Sequence, residues 1–256
     1  MNDRSAGAAG APDAPWPGGP LIRPAILPLL LEAWPRKRLR RSTIRRRRAV
    51  VAELASQGWV DAAGRLTDQS RGLLAPAANP TSTWRATGRH EGLGSDVAAY
   101  CADRQASVSL GPDAATLRSA SGGHSPVPGA ELPVAIRTVE NSEMPTLLCA
   151  WAGVRPGALR GGSPVELPEP VFTARAHGAA GAAPHEFEAA PGLWNDDWFV
   201  WDVSTRSGSH HGFISTVEHG NFAFGRVGTR ATPAIRLVPV GGGEIWRILE
   251  AANHAT

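Results

Sequence analysis

The stretch Arg45-Arg46-Arg47-Arg48-Ala49-Val50-Val51-Ala52-Glu53-Leu54-Ala55-Ser56-Gln57-Gly58-Trp59-Val60-Asp61-Ala62-Ala63-Gly64-Arg65-Leu66-Thr67-Asp68, running on to Leu73-Leu74-Ala75, reads as helix, stop, short turn and second helix. Ile44, Val51, Leu54 and Ala55 recur at helical spacing, and alanine and arginine are strong helix formers. Gly58 stands where a left-handed residue ends a helix, with Trp59 and Val60 placed to fold back on the last turn. Asp61 to Gly64 is a turn, and Thr67 is positioned to cap the helix through Leu74. Nothing in the stretch carries catalytic chemistry.

Outward from this stretch, charge is unevenly spread. Residues 1–50 hold 11 Lys/Arg against 3 Asp/Glu, a net of +8, while the remainder holds 15 against 20, a net of −5. The overall +3 therefore hides a basic start on a mildly acidic body. Nine basic residues fall in the thirteen from Arg36 to Arg48, with Arg45, Arg46, Arg47 and Arg48 consecutive. Such a run suits phosphate neutralisation or an acidic protein, and equally a solvated linker with its guanidinium heads in water. No base-stacking aromatic is interleaved with it. The length of 256 residues suffices for one large core. Cys101 and Cys149 are too few for a disulfide framework and lack metal-type spacing, so both read as buried, reduced thiols. No signal peptide is legible, and no apolar run approaches the ~20 residues that span a bilayer. The expected location is the cytoplasm.

Along the chain, residues 1–20 read as a disordered Ala/Gly/Pro tail and residues 21–256 as one α+β domain. Leu21 to Trp34 predicts a short helix between Pro24 and Pro35. From Thr81 the period shortens. Residues 82–87, 97–101, 106–110 and 116–120 predict strands, and 131–139 a helix packed on them. In the second half, 145–152 and 165–176 predict helices, 184–194 is helix or loop, and 198–203, 212–217, 221–227 and 234–240 predict strands. A last helix, 244–252, follows the break at Gly241-Gly242-Gly243. Trp198, Val200 and Asp202 should face one way and Phe199 and Trp201 the other, as core.

Enzymatic motifs are weak. His185, His210, His211 and His219 with Asp196, Asp197 and Asp202 form no metal-binding spacing, and adjacent His210 and His211 point to opposite faces. Ser209 lacks a nucleophile elbow, Ser125 is a turn residue before proline, and no phosphate-binding glycine loop occurs. No catalytic residue, metal or cofactor is expected.

Two segments resemble the EspG family, the chaperones of type VII (ESX) secretion in actinobacteria. They are Ala52-Glu53-Leu54-Ala55-Ser56-Gln57-Gly58-Trp59-Val60-Asp61 with Gly64-Arg65-Leu66 and Leu73-Leu74, and Gly225-Arg226-Val227 with Ile235-Arg236-Leu237-Val238-Pro239-Val240 and the closing helix. Val227 stands where the family tends to carry an aromatic residue. The resemblance implies a central antiparallel sheet flanked by two helical bundles, in two pseudo-symmetric halves of about 21–140 and 141–256. It implies a non-enzymatic protein that binds a PE–PPE heterodimer, shields the apolar helical tip and keeps the pair soluble for export. The sheet loop used in the family matches Ala102-Asp103-Arg104-Gln105, so Asp103, Arg104 and Gln105, with Phe222 in the second half, are the expected partner-binding residues. The alternative expectation is a nucleic-acid-binding regulator that uses residues 36–48.

Overall fold

The computed structural model describes residues 21–23, 26–121, 133–155, 163–179, 181–188 and 191–254. Its centre is an antiparallel sheet that begins at β2 (Ser82–His90), β3 (Leu93–Ala102) and β4 (Gln105–Leu110), a meander closed by two-residue turns. β2 alternates buried and exposed residues almost without fault, as a half-buried strand must. β5 (Val134–Glu140) adds beside β4, and β1 (Leu21–Ile22) forms that edge. On the other side of β2 lie β7 (Phe199–Thr205), β8 (His210–Ser215), β9 (Asn221–Gly228), β10 (Pro233–Val240) and, at the far edge, β6 (Val165–Pro168). The ten strands are ordered β1-β5-β4-β3-β2-β7-β8-β9-β10-β6. The β2–β7 joint pairs Trp84 with Thr205 through Arg89 with Val200.

Strand register assigns every helix to a face. Ile136 shares a face with Ser109 and Ala98; α4 (Asp68–Ala78) packs against β3, β4 and β5, and α1 (Leu27–Ala33), α2 (Arg41–Arg46) and α3 (Arg48–Ser56) join the same core, with Leu30, Leu54, Trp59 and Leu74 buried. Further along the same face Ile214, Phe222 and Leu237 meet Phe172 of α7 (Glu169–Ala176) and Leu193 and Trp194 of α8 (Pro191–Asn195). The opposite face buries Trp84, Val97, Val108, Phe199 and Trp201 under α5 (Ala114–Ser121), α6 (Met144–Trp151) and α9 (Gly242–His254). Trp151 meets Phe199 edge-on at 5.3 Å and Trp201 at 6.4 Å. A Cβ at Gly88 would lie 2.2 Å from Phe199 Cζ, so this contact requires glycine in the central strand. The mixed helix and strand architecture around a large antiparallel sheet agrees with the sequence reading.

The helix–turn–helix stretch forms as read, with one break. Trp59 N–H donates to Leu54 O at 2.8 Å and Gly58 N–H to Ala55 O at 3.1 Å, the paired bonds of a Schellman cap, with Gly58 at φ +78°. Trp59 is 2 % exposed and packs in the same core as Leu54. Thr67 Oγ1 accepts from Ser70 N–H at 3.3 Å and caps α4, which extends past Leu74 to Ala78. The break is at Arg47 (φ −126°, ψ 46°), which divides the arginine run between α2 and α3.

Other expectations are corrected. Residues 116–120 are helical, within α5, because Asp113 Oδ1 accepts from Thr116 N–H at 2.8 Å and starts a helix that buries Ala114 and Leu117. Of the helix expected at 131–139, residues 131 and 132 lie outside the described residues and Val134 to Val139 are instead in strand β5, whose β-branched residues pair along the whole of β4. The helix expected between Pro24 and Pro35 does form, as α1 over Leu27–Ala33, and Leu21–Ile22 ahead of it is an edge strand. Residues 165–168 are strand β6, and the helix begins at Glu169 behind Pro168. Residues 1–20 and Ser125 lie outside the described residues.

Candidate functional site

The basic segment is a surface. Arg36, Lys37, Arg38, Arg40, Arg41 and Arg45 to Arg48 are all exposed, while Leu39 between them is buried. Arg40 Nε contacts Glu32 Oε1 at 2.6 Å. Arg36, Lys37 and Arg38 border a cleft of about 550 Å³ whose other side includes Asp61, Arg65, Asp68 and Arg71. Asp61 pairs with Arg65 at 2.6 Å and Asp68 pairs with Arg71. The backbone N–H of Arg65, its guanidinium and the N–H of Ala63 hold the Asp61 carboxyl below its usual range.

The loop expected to meet a partner is a tight hairpin end. Asp103 (φ 52°) and Arg104 form the turn between β3 and β4, and Asp103, Arg104 and Gln105 are exposed. Asn141 fixes this tip from below: its Nδ2 donates to Asp103 O at 2.7 Å and its N–H to Arg104 O at 2.9 Å. Asn141 thus anchors the backbone of an exposed tip. Phe222 corrects the expectation. It is 6 % exposed and packed in the core under α7 and α8, so its ring offers no surface.

Of the histidines and aspartates of the second half, Asp196 and His219 come together as a clamp. The Asp196 carboxylate, behind α8, accepts from the N–H groups of Asp197, Val217, Glu218 and His219 and from His219 Nδ1 at 2.8 Å. Burial alone would raise its pKa; the His219 ring and the backbone donors together outweigh burial and hold it below the usual carboxylate range. Arg175 of α7 donates to Trp194 O at 3.0 Å and Asp196 O at 2.6 Å while lying over the Trp198 ring at 5.1 Å. Arg118 of α5 donates to Ser215 O at 2.8 Å. Asp202 accepts from Thr87 at 2.5 Å and approaches His210 Nε2 at 3.5 Å. Facing the opposite way, His211 has its pKa lowered by burial and by His210.

His90, which the sequence reading passed over, is 2 % exposed and joins three elements. Its Nδ1 lies 3.0 Å from Trp198 O, which can only accept, so Nδ1 carries the proton. Its Nε2 is 3.0 Å from Ser121 Oγ. The side chains of His90, Glu91 and Asp197 bring ligand-type atoms within 4.8 Å of one another. Both ring nitrogens already have partners, and the charges of Arg118 and Arg175 act on this same region. The arrangement suits a strut better than a cation centre. Cys101 and Cys149 are buried free thiols, and burial pushes the Cys149 pKa up to about 12.

No helix among the described residues is long and apolar enough to cross a membrane. The protein-family models give no match to the chain, and neither do the curated proteins.

Proposed function

We propose that this chain is a cytosolic, non-enzymatic binding protein of the EspG type that holds a PE–PPE-like helical heterodimer and keeps it soluble for a type VII secretion system. The reading rests on the strand order. Counted from each edge to the middle, β1-β5-β4-β3-β2 and β6-β10-β9-β8-β7 correspond position by position. Each set opens with a short edge strand, places helices before its meander and closes with one helix, and these closing helices, α6 and α9, pack together. Two such halves about the β2–β7 joint support, as a proposal, the pseudo-twofold, two-bundle arrangement that the resemblance implies. The exposed tip at Asp103, Arg104 and Gln105 is the contact that the resemblance would assign to the partner. A passive role is supported by Asp196, Arg175 and Arg118, whose partners are largely backbone groups within the fold.

Coexpression with a PE–PPE-like pair encoded in the same genome tests the reading. The expected result is a soluble 1:1:1 complex on size exclusion, with the pair insoluble when expressed alone. An Arg104→Glu change at the tip should weaken assembly at least tenfold, read by isothermal titration. A pair that is soluble alone, with this chain eluting by itself, would sink the proposal.

A further inference from the structure

The arginines of residues 36–48 do not stand alone. After α1 the chain makes a 3-10 turn at Trp34–Arg36 and reverses at Lys37, whose φ of 52° is left-handed. Leu66 N–H then donates to Lys37 O at 3.0 Å and Leu39 N–H to Gly64 O at 2.9 Å, with Arg38 bridged to Arg65. This short antiparallel contact sets Arg36, Lys37 and Arg38 along one side of the cleft and Arg65 and Arg71 along the other. Asp61 and Asp68 balance the last two, which leaves the cleft with an excess of three positive charges. Among the described residues, Arg40 is the one member of the 36–48 run that makes an ion pair.

This concentration opposes folding. Both α2 and α3 begin on arginine with no acidic residue in the first turn and no side-chain cap, at the end where the helix dipole disfavours a cation. The patch is dominated by charge, with Leu66 the one apolar residue among those that line the cleft. Among the described residues the exposed large apolar ones are Leu21, Val217 and Val238, of which Leu21 belongs to this part of the chain. Protein partners and lipid surfaces are normally met through apolar anchors as well as charge. A phosphate backbone needs only cations and donors, and guanidinium offers two parallel N–H groups to two phosphate oxygens.

We propose that Arg36, Lys37 and Arg38, backed by Arg65 and Arg71, form a sequence-independent binding cleft for a nucleic-acid phosphate backbone, extended by Arg45 to Arg48 on the adjoining helices. The inference stands apart from the chaperone reading, since it uses neither the hairpin tip nor the second half.

Fluorescence anisotropy on the full chain with 20-base-pair duplexes of three unrelated sequences tests it. The three should bind within about twofold of one another, and affinity should fall roughly 40-fold or more from 50 to 200 mM NaCl, from about three released counterions. The combined Arg36→Gln, Lys37→Gln, Arg38→Gln variant should bind at least about tenfold more weakly at 50 mM and show a salt slope smaller by about 2 to 3. If circular dichroism shows that this variant does not fold, the single Arg36→Gln and Arg38→Gln variants should each lower the slope by about 1. An unchanged slope in the folded variants would overturn the cleft. Equal or tighter binding to polyglutamate, or to phosphatidylglycerol vesicles, would overturn nucleic acid as its occupant.

Discussion

At Asp196 a single carboxylate holds together segments 21 to 23 residues apart, taking N–H donors from Val217, Glu218 and His219 after β8 while sitting at the end of α8. Its side chain is 4 % exposed, so each donor it loses becomes a buried group without a partner. Asp196→Asn should therefore cost about 2–3 kcal/mol in urea unfolding at pH 7. The carboxyl pKa is lower in the fold than in the unfolded chain. Its contribution is thus complete above the unfolded value, about 3.9, and is lost as the pH falls through the folded one. The gap between the parent and Asp196→Asn should shrink on acidification below pH 4. A gap that stays constant down to pH 2.5 would mean that the charge contributes nothing. Nothing in the sequence marks Asp196 for this role, because its partners lie 21 to 23 residues away and are set by the β8–β9 connection.

Among the elements, α3 has opposed ends. Its C-terminus is closed by Gly58, Trp59 and Leu54, and its N-terminus starts on Arg48 against its own dipole. Replacing that arginine by an acid, Arg48→Glu, should raise stability by about 0.5–1 kcal/mol, measured as a shift in the urea midpoint. A neutral or negative shift would mean that the arginines are held by contacts not apparent from the helix ends. The same contrast explains what the sequence revealed. Caps are local chemistry, so Gly58, Gly64 and Thr67 could be placed from their neighbours alone. The α5/β5 region could not, because the compositions of 116–120 and 131–139 each allow helix or strand. The choice between them lies in Asp113, which starts α5, and in the free edge of β4, which takes β5. The tight hairpin at Asp103 and Arg104 was legible as a loop. The burial of Phe222 was not, since a residue alternating along β9 faces the core or the solvent according to which helices cover the sheet.

For the molecule as a whole, charge is segregated more sharply than the sequence halves suggest. Residues 21–79, which contain β1 and α1 to α4, hold 12 Lys/Arg against 4 Asp/Glu, a net of +8, while residues 80–256 hold 13 against 17, a net of −4. Repulsion within the N-terminal group of helices is screened over about 10 Å at 0.1 M salt. The melting temperature should therefore rise as NaCl increases from 10 to 200 mM, and the rise should be smaller in the variant with Arg45 to Arg48 changed to Gln. A flat response in the parent chain would argue against accumulated repulsion. The two halves of the sheet meet over the full run from Trp84 to Arg89, and the Trp151, Phe199 and Trp201 contacts lie over that joint. Unfolding should accordingly follow one transition for both halves.

Lys37, at the left-handed corner of the basic cleft, is the only lysine in the chain. Its side chain is exposed, so an acylating reagent finds a single ε-amine on this protein, and a lysine-specific protease finds a single peptide bond. Whatever occupies the cleft is then reported by the reaction rate of one nitrogen atom, without any engineered label.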